Sequence, residues 1–141
     1  MTYNLINTWF RSGLLLFAMF LFSACTGWLQ PSVTKPSPEP QAVLAILRQY
    51  PGGIITSDQE DTSGADTAID IIFDVQTTPE AAIAYYDPLL KGIGLERNPN
   101  KRSIGGQPAD QAWSGGCPWH YVAIATMANT LAIHYGYGGC R

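Results

Sequence analysis

CPWHYVAIATMANTLAIHYGYGGC, residues 117–140, is the stretch from which the fold is read. Trp119 to Thr126 and Leu131 to Tyr137 are rich in β-branched and aromatic residues, the types that suit a pleated, half-buried surface. Met127-Ala128-Asn129-Thr130 between them is short enough to predict a hairpin. In a symmetric register Met127 faces Thr130, and pairing runs back until Cys117 stands opposite Cys140. Thiols on directly opposed residues have the short Cβ separation that a disulfide needs, so the spacing predicts a Cys117–Cys140 bridge across the open end. Alternation then divides the side chains between two faces. Val122, Ile124, Leu131, Ile133 and Tyr135 carry the branched apolar bulk expected under a layer of helices, and Trp119, Tyr121, Ala123, Ala132 and His134 fall on the other side.

The segments upstream complete a two-layer arrangement. In Thr67 to Val75, the residues Ile69, Ile71, Phe73 and Val75 alternate with Ala68, Asp70, Ile72 and Asp74, the period of a strand with one buried face. Ile54-Ile55-Thr56 predicts a brief strand before it, with the polar residues 57–66 as the turn. Val43, Ile46, Leu47 and Tyr50 follow helical spacing over Gln41 to Tyr50, stopped by Pro51-Gly52-Gly53. Thr77-Thr78-Pro79-Glu80 supplies a hydroxyl cap, an early proline and an early carboxylate for a second helix, with Ile83, Tyr86, Leu90 and Ile93 as its core stripe. Pro88 lacks an amide hydrogen, which predicts a kink or break near Asp87. Residues 96–109 lack sustained periodicity and read as mostly loop, followed by a short strand around Ala112 and Trp113. The order α-β-β-α-β-β-β predicts an α+β two-layer sandwich: an antiparallel sheet of about five strands with both helices on one face.

The amino-terminal residues set the address. Arg11 precedes the apolar run Gly13 to Phe22, closed by Ser23-Ala24-Cys25. That run is shorter than the roughly 20 apolar residues needed to span a bilayer and has the form of a secretory signal. Ending on a cysteine, it resembles the precursor of a bacterial lipoprotein. The resemblance covers residues 1–25 and implies cleavage before Cys25, lipidation of Cys25 and palmitate-type acylation of the new amino terminus. It divides the chain into a signal peptide at 1–24, a lipidated cysteine with a Pro-rich tether at 25–40, and one α+β domain at 41–141. Trp28 in the tether suits either the lipid interface or the domain edge. With Cys25 assigned to the lipid, Cys117 and Cys140 remain to pair. The formal charge of the whole chain is −3, and loss of Arg11 with the signal makes it more negative by one, which argues against a nucleic-acid partner.

No chemistry is announced by motif. Gly-x-Ser-x-Gly, the phosphate loop and the dinucleotide fingerprint are absent from the sequence. Cys117-Pro118-Trp119-His120 places a histidine where a redox motif has its second cysteine, so a structural staple is the better reading. His120 and His134 fall on opposite faces of the hairpin and do not share a metal, and no metal or cofactor is expected. Asp58, Glu60, Asp61, Asp66, Asp70 and Asp74 do not fit an EF-hand spacing and read as solvated strand and turn positions. Arg97, Lys101 and Arg102 read as solubilising a loop, or as contacts to an acidic partner. The expected function is a cell-envelope protein, anchored to a membrane through Cys25 on the extracytoplasmic side, with a non-catalytic binding or scaffolding domain for a protein partner. Trp119, Tyr121 and His134 are the candidate contact surface. The alternatives are an apolar ligand pocket near Tyr85, Tyr86 and Pro88, and a small enzyme, whose minimum sign is a cleft joining His134 to a carboxylate.

Overall fold

A computed structural model describes residues 36–140. They lie in the second of the two units into which the chain divides, Lys35–Arg141. Cys25, the signal and most of the tether fall outside the described residues.

The closing hairpin organises the sheet. Its strands β7 (Trp119–Met127) and β8 (Thr130–Gly138) pair in the symmetric register, from Met127 opposite Thr130 to Trp119 opposite Gly138. Cys117 and Cys140 form the disulfide beyond the last pair, with their Cα atoms 5.1 Å apart. Strand β2 (Thr67–Asp74) pairs with β8, and β1 (Ile54–Asp61) with β2; β6 (Gln111–Gly115) pairs with β7, and β3 (Glu96–Arg97) with β6. The result is a six-stranded antiparallel sheet in the order β1-β2-β8-β7-β6-β3.

Both helices serve the inner face. In α1 (Pro40–Leu47) the buried residues are Val43, Leu44 and Leu47, and in α2 (Pro79–Gly92) they are Ala82, Tyr86 and Leu90. These pack on Ile69, Ile71, Phe73, Val122, Ile124, Leu131, Ile133 and Tyr135 as one core. The Thr78 hydroxyl accepts from the Ala81 amide at 3.2 Å, which satisfies one of the donors left over at the start of α2.

Three sequence expectations are corrected. Helix α1 ends at Leu47 instead of Tyr50. Helix α2 continues through Pro88 to Gly92 as one element, with the Tyr86 and Leu90 side chains on either side of the proline both fully buried. Strand β1 extends to Asp61, its polar residues held by pairing with the strongly patterned β2. The stretch 96–109 is mostly loop, as expected, and also contains β3 and a small hairpin of β4 (Ser103–Ile104) and β5 (Gln107–Pro108). That hairpin covers part of the outer sheet face. There Ile104 and Ala109 pack on Ala112, Tyr121, Ala123, Ala125 and Ala132, the alanines leaving room for the flap to approach.

Candidate functional site

The outer face brings the three candidate contact residues together. Trp119 and Tyr121, two apart on β7, stack with ring centroids 6.1 Å apart and planes 14° from parallel. His134, opposite Ala123 on β8, meets Tyr121 edge-on at 6.5 Å. Their exposures differ: Tyr121 is only 2% exposed, whereas Trp119 and His134 are half-buried. Tyr121 is therefore the floor of the patch, and the other two are its accessible members.

Arg102 was missed in the sequence as a member of this group. Its guanidinium lies 5.2 Å from the Tyr121 centroid and 5.8 Å from that of Trp119, within cation–π range of both. Its backbone amide donates to the Tyr121 hydroxyl at 2.7 Å, and that hydroxyl reaches the Asn100 carbonyl at 3.4 Å. No spacing signal announces Arg102, because the loop reaches β7 from far along the chain. The neighbouring cations are separately engaged. Arg97 pairs with Asp87 at 2.8 Å, and Lys101 donates to the Asp110 carbonyl at 2.8 Å.

Asp70 on β2 stands directly opposite His134, and its Oδ1 is 2.8 Å from His134 Nδ1. This contact favours the tautomer with the proton on Nδ1 and leaves Nε2 as an acceptor. Asp70 also lines a cleft of about 220 Å³, between β1, β2 and the tip of the β4–β5 flap, with Ser57, Gln59, Ile72, Ile104 and Met127 among its walls. A cleft beside a His–Asp pair is the minimum sign expected for acid–base chemistry, so the position of nearby hydroxyls matters. Ser57 is the hydroxyl in the cleft, and it sits on β1, two strands away from His134 on β8, roughly 10 Å across the sheet and offset along it. Among the described residues no hydroxyl or thiol hydrogen-bonds to His134.

His120 lies on the opposite, inner face and is fully buried. Its Nδ1 is 2.8 Å from the Tyr135 hydroxyl, and its ring stacks on Tyr135 and Tyr137. Its Nε2 has no hydrogen-bond partner of good geometry. Burial lowers the pKa of the ring, against smaller opposing effects of the Pro38 backbone and the Glu39 charge. His120 is a core residue, sealed partly by the segment before α1, where the Ser37 hydroxyl donates to the Pro118 carbonyl at 3.0 Å. Among the described residues no three His, Cys, Asp or Glu side chains converge as a metal site.

The layer around Tyr85, Tyr86 and Pro88 is filled, which corrects the expectation of an open pocket there. Tyr86 is fully buried, stacks against Tyr50 and meets Tyr85 edge-on, and its hydroxyl lies 3.0 Å from the Gln49 carbonyl and 3.3 Å from that of Leu47. Burial pushes its phenol pKa well above the ordinary value. No protein-family model matches the chain, and no curated protein matches it significantly.

Proposed function

We propose that this chain is an exported, lipid-anchored protein of the cell envelope whose domain is a non-catalytic module for binding a protein partner. The observation that carries the reading is the grouping of Trp119, Arg102 and Tyr121 beside the Asp70–His134 pair, of which Asp70 also lines a cleft. Tryptophan, tyrosine and arginine are the residues that dominate binding energy at protein interfaces, chiefly where packing fixes them in advance. Arg102 is so fixed by its backbone bond to Tyr121, and His134 by Asp70. The address rests on the lipoprotein-like ending at Cys25 and on two remaining cysteines that pair, as suits an oxidising compartment.

Size favours a protein over a small molecule. The cleft, at about 220 Å³, is below the roughly 300–1,000 Å³ of sites that enclose drug-sized ligands. It suits one or two side chains of a larger partner.

The test is photo-crosslinking of the full chain in its native cells, from probes at positions 119 and 134 and from a control probe at position 91. One protein adduct specific to 119 and 134, lost when Arg102→Ala is added, is the expected result. Lipid or small-molecule adducts, or none above the control, reject the protein-binding reading.

A further inference from the structure

The geometry points to the free edge of β1 as the place where an extended, basic segment of the partner protein adds as a further strand. Alternate side chains of that segment turn into the outer-face cleft. This deepens the binding-module reading and rests on it.

Strand β1 ends the sheet. It pairs with β2 on one side, and among the described residues no strand pairs with its other side. Seven of its eight residues are exposed, Ser57 being half-buried. An antiparallel edge strand presents unpaired amide and carbonyl groups at every second residue, a template for another chain. The sheet's other edge, β3, has only two residues and offers little template. Proteins blunt such edges with charged side chains, above all lysine, and with proline or bulges; the acids of β1 therefore bar any strand that does not answer their charge. Strand β1 has no lysine and no proline, and its one bulge lies between Ile55 and Ser57, leaving Ser57–Asp61 in regular register with Ile72–Ala68. The usable template is therefore the acidic half of the strand.

Charge selects the occupant. No Lys or Arg occurs between Arg48 and Lys91, whereas β1 carries Asp58, Glu60 and Asp61. Arg48 answers Asp58 at 2.8 Å. A second copy of β1 laid antiparallel would set acid against acid, an arrangement that disfavours self-association. A segment bearing Lys or Arg gains what a second copy loses. Ser57 and Gln59 lie on the outer face and line the cleft together with Ile72, Ile104 and Met127, three apolar side chains within reach of an added strand about 4.8 Å away. The fitting segment thus carries apolar side chains on the outer face near Ser57 and Gln59, and basic ones on the opposite face near Asp58 and Glu60. Backbone pairing would supply affinity and the cleft would supply register, as in other strand-addition modes.

The experiment uses the full chain in detergent and the peptide Lys-Thr-Lys-Val-Lys-Thr-Lys-Val-Lys, with two controls: Glu in place of every Lys, and N-methylation of alternate amides. Hydrogen exchange read by mass spectrometry should slow roughly tenfold in Ile54–Asp61 with the Lys peptide and with neither control. Glu60→Gln with Asp58→Asn should weaken Lys-peptide binding roughly tenfold, and Glu60→Lys with Asp58→Lys should abolish it and admit the Glu peptide. No protection of β1, or equal binding of the N-methylated peptide, overturns the assignment. If β1 stays unprotected while crosslinks from 119 and 134 persist, the edge proposal fails and the binding module stands. Loss of both signals removes both.

Discussion

Asp87 holds three donors on one carboxylate. Its Oδ1 accepts from Arg97 Nε at 2.8 Å and from the Trp113 indole at 2.9 Å, and its Oδ2 lies 2.9 Å from Lys91 Nζ. The two cations are about half exposed, so their screened attraction contributes little. Trp113 is fully buried, and its N–H would be costly to leave without an acceptor. Arg97, followed by the indole and Lys91, holds the Asp87 carboxyl well below its ordinary pKa of 3.8. A depressed carboxyl stabilises the fold fully above its unfolded pKa, and that stability is lost as pH falls from there toward the folded value. Asp87→Asn keeps an acceptor for the indole but removes the charge, which should cost about 1 kcal/mol at neutral pH. Urea unfolding across a pH series should also show a shallower loss of stability below about pH 4 in the variant. Equal slopes in the two proteins would deny Asp87 this role. The sequence marked this position only as the neighbour of a helix-breaking proline, because Arg97 and Trp113 arrive from β3 and β6, which no local pattern ties to α2; only Lys91, at i+4 on the same helix, is a local partner. Arg102 was hidden for the same reason.

At the scale of elements, legibility followed pattern strength. The register of β7 and β8 could be counted out from their short connection, and β2 from its alternation, because one buried face allows a single register. Strand β1 was read only at its first three residues. Ser57 to Asp61 have no apolar face of their own and become a strand because β2 offers them a ladder. The β4–β5 flap carries one anchoring side chain, Ile104, too little for a periodic signal. Helix α2 was found through its cap, but the propensity argument at Pro88 gave way to the burial of Tyr86 and Leu90 on either side. The Cys117–Cys140 bridge closes the open end of the best-read element across 23 positions. In the loop-entropy account such a closure contributes about 3 kcal/mol through the unfolded chain. Replacing both cysteines with serine should lower stability by about that amount in urea unfolding, while Ile124 and Ile133, far along the hairpin, keep their slow amide exchange. A variant as stable as the parent would reduce the bridge to decoration.

For the whole molecule, the two faces of one sheet carry different tasks. The inner face spends its branched residues on a core with two helices. The outer face, lined with alanines, accepts a thin flap at one part and keeps Trp119, His134, Asp70 and the cleft at the edge of that cover. Under the proposed function such a face gains most when its domain is held at high local concentration near its partner, and the proposed membrane anchor would supply that. A single acyl chain binds membranes only marginally, whereas the several chains implied at Cys25 would hold the domain stably. Intact-mass analysis of the full-length gene product isolated from its own membranes should therefore give a chain that starts at Cys25 and carries a diacylglyceryl group and an amide-linked acyl chain. Cys25→Ser should yield a mass with no lipid, and should weaken the crosslinks from positions 119 and 134 while leaving the Cys117–Cys140 bridge intact. That last outcome separates address from fold, since on the proposed reading the bridge would depend on export and the crosslinks on anchorage. An unlipidated mass for the parent protein would overturn the anchor and, with it, the account of how a shallow cleft reaches useful occupancy.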